Sequence, residues 1–517
     1  MTRQYVTTAI DFPNAAPHMG HVMEKILADV VVRWFRLRGD EVRFHIGTDE
    51  NGIKIQQTAK AAGISPKELI DRNAPLFEDL FQKLNISYDF FIRTSDPDSH
   101  WPTVMELWKK LHEAGFLEKR QYTGLYCTGC ERFVTERDLV DGKCPDHNKV
   151  PEKVTEENWF FLLSKKQKAV DQLLHAKTGY TIVPDWRANE TYAFLEEGLE
   201  DISFSRSKKT LYWGVPVPGD DDQVMYVWCD NLTSYISSLG YFTDHEMRQW
   251  WDDAEVTHVI GKDIARFHAI NWPAMLECAG VKTPNRLLIH GFLTSEGKKM
   301  SKTLGNVVSP VEILEKFKGD PDPIRFYLSH EIPVGNDGDF SWKRFEELYD
   351  AKLRNQLGNM LNRLLVLITK EGGSLADIPS SAASELTDHL KWQEYATAMN
   401  AFEPQRALEV ATNLVNQCNL FIDQKAPWKE KDPTAKLKIL TALAEGLRHI
   451  SLMLLPFMPE TAQKIAQQLN VSYADTMLEK NFVIGDLNKW GADTDWKVVG
   501  QPQILFPPLE KQEAIQA

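Results

Sequence analysis

The stretch QYVTTAIDFPNAAPHMGHVMEKILADVVVRW, residues 4–34, decides how this chain folds. Residues 4–10 alternate and are rich in β-branched side chains, the pattern of a strand. A loop with Pro13, Asn14 and Pro17 follows. Proline suits the first turn of a helix, where its missing N–H costs nothing, so a helix begins near Pro17. From 18 to 38 an apolar stripe through Ile26, Val30, Val31 and Trp34 recurs at helical spacing, and Gly39 ends it. His18 and His21 fall three apart, hence on one face at the mouth of this helix.

The same rhythm continues outward. EVRFHIGT (41–48) reads as the next strand and GIKIQQTAKAAG (52–63) as the next helix. Strand, loop, helix, strand indicates an α/β, Rossmann-type parallel sheet with crossover helices. Ligands of such sheets sit beyond the carboxyl ends of the strands, where helix N-termini point. PHMGH lies at such a place. Around 116–150 cysteines, glycines and charges replace the periodicity, which marks an insertion. Apolar strand-like segments return at DQVMYVWCD (222–230) and VTHVIG (256–261), a helix follows from Ile264, and NRLLIHGFLT (285–294) reads as one more strand. SEGKKMSKTLGN (295–306) is a lysine-rich loop. From about 351 the pattern is helical almost throughout, as in AKLRNQLGNMLNRLLVLI and LKILTALAEGLRHISLMLL, which predicts an all-α bundle.

The 517 residues leave room for about three or four domains. A net charge of −14 disfavours non-specific coating of nucleic acid but permits a local basic face. Six cysteines in this length are not a disulfide scaffold. The longest apolar runs, such as SLMLLPFM (451–458), are too short to span a bilayer, and the N-terminus has no apolar leader. A cytoplasmic protein with no membrane association is expected.

Three constellations carry chemistry. Cys127, Cys130, Cys144 and His147 have the spacing C-x2-C-x13-C-x2-H. Two paired knuckles match tetrahedral zinc, and four protein ligands close the site, making the ion structural. Lys299 and Lys302, with Ser301 and Thr303, form a basic loop; lysine is a mobile point charge suited to phosphate, although solvated basic loops are common. His18 and His21 suit an anion at a helix N-terminus, with Gly20 letting a ligand approach. A metal reading lacks the glutamate that separates the histidines in zinc-protease motifs, and there is no Walker loop. Asp49 ends a strand at the carboxyl edge, as either a cap or a partner for an ammonium group. Trp228, Tyr235, Ile264 and His268 read as core unless they assemble around one pocket.

Together these residues carry a resemblance. PHMGH and the downstream KMSKT look like the paired signatures of class I aminoacyl-tRNA synthetases. TTAIDFPNAAPHMGH, GTDENG, GLYCTGCERF, YVWCDNLTSY, HVIGKDIARFHAINWPAML, GKKMSKTLGNVVSP and FIDQKAPW resemble, in order, the blocks of the methionyl-tRNA synthetase family. The resemblance implies activation of L-methionine by ATP and transfer of the methionyl group to tRNA(Met), initiator and elongator. It implies that His18, Gly20, His21, Lys299, Ser301 and Lys302 bind ATP, with Mg²⁺ on the phosphates. Ile10, Phe12, Asp49, Trp228, Tyr235, Ile264 and His268 would form the methionine pocket. Asn359, Arg363 and Trp428 would contact the anticodon, with Asn and Arg reading base edges and Trp stacking.

The expected layout is a catalytic domain in two halves (1–115 and 206–320), a connective insertion with the zinc knuckle (116–205), a stem-contact region (321–350), a helical anticodon-binding domain (351–485) and a tail (486–517). The chain ends soon after ILFP, without the C-terminal tRNA-binding barrel that makes many relatives dimeric, so a monomer is expected. Some residues depart from the family pattern. Phe12 stands where tyrosine is usual, flanked by Asp11 and Pro13; Asn231 where alanine is common; Asn51 for histidine; Thr303 for serine. The alternatives are a cysteinyl enzyme, against which YVWCD and FIDQKAPW speak, and an inactive tRNA-binding relative, against which the intact histidines and lysines speak.

Overall fold

The computed structural model describes residues 2–128, 132–134, 136–145, 148–176, 179–295, 297–299, 308–376, 378–492 and 502–509. Its centre is a six-stranded parallel sheet in the order Phe90–Arg93, Glu41–Thr48, Arg3–Thr8, Glu255–Gly261, Arg286–His290, Thr181–Val183. The strand order reverses between Arg3–Thr8 and its neighbour Glu255–Gly261, and a crevice opens at the carboxyl ends of strands at such a switch point. The opening stretch supplies both the central strand and the helix Met19–Leu37, whose Ile26, Val30, Val31 and Trp34 are all buried.

Leu117–Cys127, Arg132–Val134, Glu152–Phe161 and Ile202–Ser203 form a separate antiparallel sheet within 116–205. In the same stretch Thr181–Val183 returns to the main sheet and pairs with Arg286–Leu288. This stretch, expected from sequence to be an insertion, therefore both departs from the α/β layer and contributes its edge strand.

Two segments differ from the sequence expectation. DQVMYVWCD is not one strand: the strand Asp220–Met225 ends and the helix Val227–Ser237 begins inside it. An apolar run buried on all sides carries no periodicity to separate the two states, and every residue of that helix is buried. NRLLIHGFLT is split at Gly291 into Arg286–His290 and Leu293–Ser295, which lie in different sheets. A Cβ at Gly291 would sit 2.1 Å from the Asn336 carbonyl oxygen, so only glycine lets the two chains cross there.

Helices Asn359–Lys370, Trp392–Asn400, Pro404–Lys425, Pro433–Leu454 and Pro459–Leu469 build the bundle. One continuous apolar core runs from Val6 and the Met19–Leu37 helix into it. A buried cation stitches the junction. Arg325 donates to Asp29 Oδ2 (2.7 Å), to the carbonyls of Phe457 (2.8 Å) and Pro456 (3.0 Å), and to that of Leu84 (3.2 Å). The tail folds back, with Leu505 and Phe506 buried and the Tyr349 hydroxyl donating to the Pro507 carbonyl at 2.8 Å.

Candidate active site

The helix mouth is built by its two histidines. His18 is the N-cap: the Gly20 N–H donates to His18 Nδ1 (3.1 Å), and the His18 N–H donates to His21 Nδ1 (3.2 Å). This is a capping box made of imidazoles, which satisfies two otherwise orphaned backbone donors. The rings stack with centroids 3.8 Å apart and planes 17° apart. Withdrawal from water, together with the positive charge of Lys25, lowers the His21 pKa to about 3, so the ring is neutral. Because Nδ1 accepts in both rings, each carries its proton on Nε2 when neutral. Gly20 has a nearer role than the ligand approach expected from sequence: a Cβ there would lie 3.0 Å from His18 Cε1, against the capping ring itself.

One helical turn further, Lys25 is completely buried. Its ammonium donates to Asp11 Oδ1 (3.0 Å), Glu24 Oε1 (2.8 Å) and the Ala9 carbonyl (2.9 Å). Glu24 Oε2 also meets His290 Nε2 at 3.0 Å. Burial alone would raise the Glu24 pKa, but Lys25 and His290 hold it down to about 2. Burial outweighs Lys25 at Asp11, whose pKa rises to about 6. This ionic knot ties the loop after the first strand to the helix and to the end of strand Arg286–His290. Sequence reading passed over it because its members lie 14 and 266 residues apart.

The residues expected to receive methionine begin beside that loop. The Asp11 N–H donates to the Gly47 carbonyl (3.0 Å) and the Asp49 N–H to the Asp11 carbonyl (2.8 Å), so the loop and the end of strand Glu41–Thr48 are locked side by side. Asp49 is buried, and its Oδ2 accepts from Asn231 Nδ2 at 2.6 Å. Asn51 Nδ2 donates to Asp230 Oδ2, also at 2.6 Å, while Asp230 Oδ1 faces His100 Nε2 at 2.6 Å.

Trp228 and Tyr235 lie in one apolar cluster that Phe12 and Ile264 pack against, and the His268 ring meets both, with centroids 6.1 Å from Trp228 and 5.6 Å from Tyr235. His268 lies in a π-helical turn, Phe267–Asn271, a local widening often found at functional sites. Burial lowers its pKa to about 4, leaving one ring proton. Nδ1 faces the Ile264 carbonyl at 3.0 Å, which can only accept, so the proton is on Nδ1 and Nε2 accepts from the Tyr235 hydroxyl at 2.7 Å. Burial likewise raises the Tyr235 pKa far above its ordinary value. Phe267 stacks flat on Trp228, with centroids 3.8 Å apart and planes 4° apart. It was not singled out in the sequence, although it directly precedes His268. Ile10 is buried two residues after the first strand ends.

Other expected residues are placed unevenly. Lys299 falls in the short strand Lys298–Lys299, paired antiparallel with Thr294–Ser295; its side chain, and all of Ser301, Lys302 and Thr303, lie outside the described residues. Cys130 and His147 also lie outside them. Cys127 and Cys144 are described, both buried in a small cluster with Val134. Among the described residues no group of three or more metal-ligating side chains occurs. On the bundle, Arg363 forms an ion pair with Asp423 (2.6 Å), and its guanidinium lies 5.5 Å from the centre of the Trp428 ring. Trp428 is 49% exposed and Asn359 is exposed one helical turn before Arg363.

A helix mouth and an aromatic cluster with a buried carboxylate, brought together at a switch point, are the usual setting for a nucleotide and a small ligand in parallel α/β proteins. The family described as tRNA synthetases class I (M) matches residues 4–150 and 146–365, and the chain belongs to that family. It is 39% identical over 526 residues to the methionine–tRNA ligase of Caldanaerobacter subterraneus subsp. tengcongensis, covering 99% of this chain and 80% of that one. It is 37% identical to the methionine–tRNA ligase of Thermosynechococcus vestitus, over 98% and 97% of the two chains. Among solved structures, Mycobacterium tuberculosis methionyl-tRNA synthetase in complex with methionyl-adenylate aligns with a TM-score of 0.89 at 35% identity, covering 98% of this chain and 100% of that one.

Proposed function

We propose that this protein is a methionine–tRNA ligase: it activates L-methionine with ATP and transfers the methionyl group to the terminal ribose of tRNA(Met), initiator and elongator. The observation that carries the reading is the juxtaposition, at one switch point, of the stacked imidazoles with an aromatic cluster beside a buried carboxylate. Asp49 pairs with the methionine ammonium group. Tyr235 and the backbone of Ile10 meet the thioether sulfur. Phe12, Trp228, Ile264 and His268 wall the side chain, where soft sulfur–aromatic contacts are favourable. The Tyr235–His268 hydrogen bond keeps both polar tips satisfied without a charge, which suits an uncharged side chain.

In the first step the methionine carboxylate attacks the α-phosphorus of ATP in line, and the bond to pyrophosphate breaks. A ribose hydroxyl of tRNA then attacks the acyl carbon, releasing AMP. No protein nucleophile is needed; position and positive charge suffice. His18 and His21 offer Nε2–H donors to the phosphates at the helix N-terminus, and Lys299 and Lys302 supply charge from the loop. Bound Mg²⁺ would neutralise phosphate oxygens. Asn359, Arg363 and Trp428 offer anticodon bases hydrogen bonds and a stacking face.

A structural zinc ion on Cys127, Cys130, Cys144 and His147 belongs to the same reading. Two buried thiols fit it, and Cys144 opens a tight turn: its N–H donates to the Lys149 carbonyl (2.9 Å) and its carbonyl accepts from the Asn148 N–H (2.7 Å). Elemental analysis of protein purified without chelator should find one zinc per chain; none would remove the assignment. A cytoplasmic site of action belongs to the same proposal; among the described residues no helix is long and apolar enough to cross a membrane.

Methionine-dependent exchange of pyrophosphate into ATP tests the activity. Exchange with methionine but not with cysteine is expected. Exchange with cysteine instead would favour the cysteinyl alternative, and none with any amino acid the tRNA-binding one.

A further inference from the structure

Two side-chain pairs cross between the loop after strand Glu41–Thr48 and the helix Val227–Ser237. Asp49 accepts from Asn231, and Asn51 donates to Asp230, each at 2.6 Å. Carboxylate and amide are exchanged between the two sides, so the pairs form a reciprocal clasp. All four residues are buried, none more than 6% exposed. The clasp is held from behind: His100 Nε2 contacts Asp230 Oδ1, and His100 Nδ1 contacts Ser237 Oγ, both at 2.6 Å. The Asn51 amide also donates to the Thr94 carbonyl at 3.1 Å.

We infer that Asn231 is a positioning residue for recognition of the substrate's ammonium group, acting through Asp49. The inference rests on the reading of Asp49 as the ammonium anchor and adds what orients it. A carboxylate oxygen can only accept, so Asn231 presents its NH₂ to Asp49. A buried donor to a carboxylate favours the ionised form and fixes the plane of the group. Asn231 also sits three residues after Trp228, on the same helix that carries Tyr235. One helix thus bears the side-chain wall and the residue that aims the anchor. The amino end and the side-chain end of the substrate are thereby held in one frame.

The test separates the amino group from the rest of the ligand. For Asn231→Ala, the KM for methionine and the inhibition constant of L-methioninol, which keeps the ammonium, should both rise between about 10- and 100-fold, the range of one lost hydrogen bond to a charge. The inhibition constant of 4-(methylthio)butanoate, which lacks the amino group, and the KM for ATP should stay within about twofold, and kcat for exchange should change far less than KM. An equal loss for ligands with and without the amino group, or no loss for either, would overturn the inference. The isosteric Asn231→Asp serves if the alanine variant does not fold. It sets two carboxylates at hydrogen-bond distance, so its methionine affinity should recover as pH falls and one proton is shared. A pH-independent affinity in that variant would also overturn the inference. Loss of methionine-dependent exchange in the unsubstituted protein would instead defeat the underlying reading of the activity.

Discussion

Under the proposed function, the crevice and the outer face of the bundle would solve recognition in opposite ways. In the crevice the polar groups are buried and tied to protein: Asp49 to Asn231, Asp230 to Asn51 and His100, Lys25 to Asp11 and Glu24, Tyr235 to His268. On the bundle, Asn359 is exposed and Trp428 is half exposed, and Arg363, beside the Trp428 ring, pairs with Asp423, which is 63% exposed at the side chain. A small ligand leaves little area to read, so its site must be organised before it arrives. A tRNA brings bases with open faces and edges, and side chains that can still adjust suffice. The difference is also one of stability: buried ionic networks fail expensively when halved, whereas exposed pairs contribute little.

That contrast can be broken at its strongest joint first. Arg325→Ala takes from buried Asp29 one of its two guanidinium partners, leaving Arg33, and takes a donor from three carbonyls, and should cost about 3 kcal/mol of unfolding free energy. Urea unfolding measures it; a loss below about 1 kcal/mol would mean the junction between the α/β layer and the bundle is held elsewhere.

The next effect is one of pH. His268 titrates near 6.5 when unfolded and near 4 in the fold, because burial disfavours the charged ring. The unfolded chain therefore binds the extra proton first. Stability from this group is fully present above pH 6.5, falls as pH drops toward 4, and amounts to about 3 kcal/mol. His268→Gln should remove that share of the acid-side slope; identical slopes for both proteins would contradict a neutral Tyr235–His268 pair.

Lys302→Ala probes the loop. It should slow adenylation by about 100-fold, as the loss of one donor to a charged transition state does, while methionine affinity stays nearly intact. Stopped-flow fluorescence with saturating ATP separates the two, and a large loss of methionine affinity would assign the lysine to the pocket instead.

Local signals in the chain were read well. The strand and helix of residues 4–34, the position of PHMGH at a helix mouth and of Asp49 at a strand end all follow from periodicity and cap chemistry. What escaped was tertiary. DQVMYVWCD hides a strand-to-helix change because burial on all sides erases periodicity. The break at Gly291 depends on how closely a distant loop approaches. The Asp49–Asn231 and Asn51–Asp230 pairs join residues 182 and 179 apart, and amides and carboxylates in loops leave no pattern that says which will meet. Likewise His18 and His21 read as a phosphate grip, but their capping of each other, which places the proton of a neutral ring on Nε2, exists only in the folded helix mouth.

The smallest expected effect gives the most direct test of the division between crevice and bundle. Trp428→Ala removes one exposed stacking face, which is about 1–3 kcal/mol of RNA binding. Charging of tRNA(Met) at limiting tRNA and pyrophosphate exchange without tRNA should be measured on the same preparation. The account predicts that charging falls by about tenfold or more while exchange is unchanged. Equal loss in both reactions would contradict it.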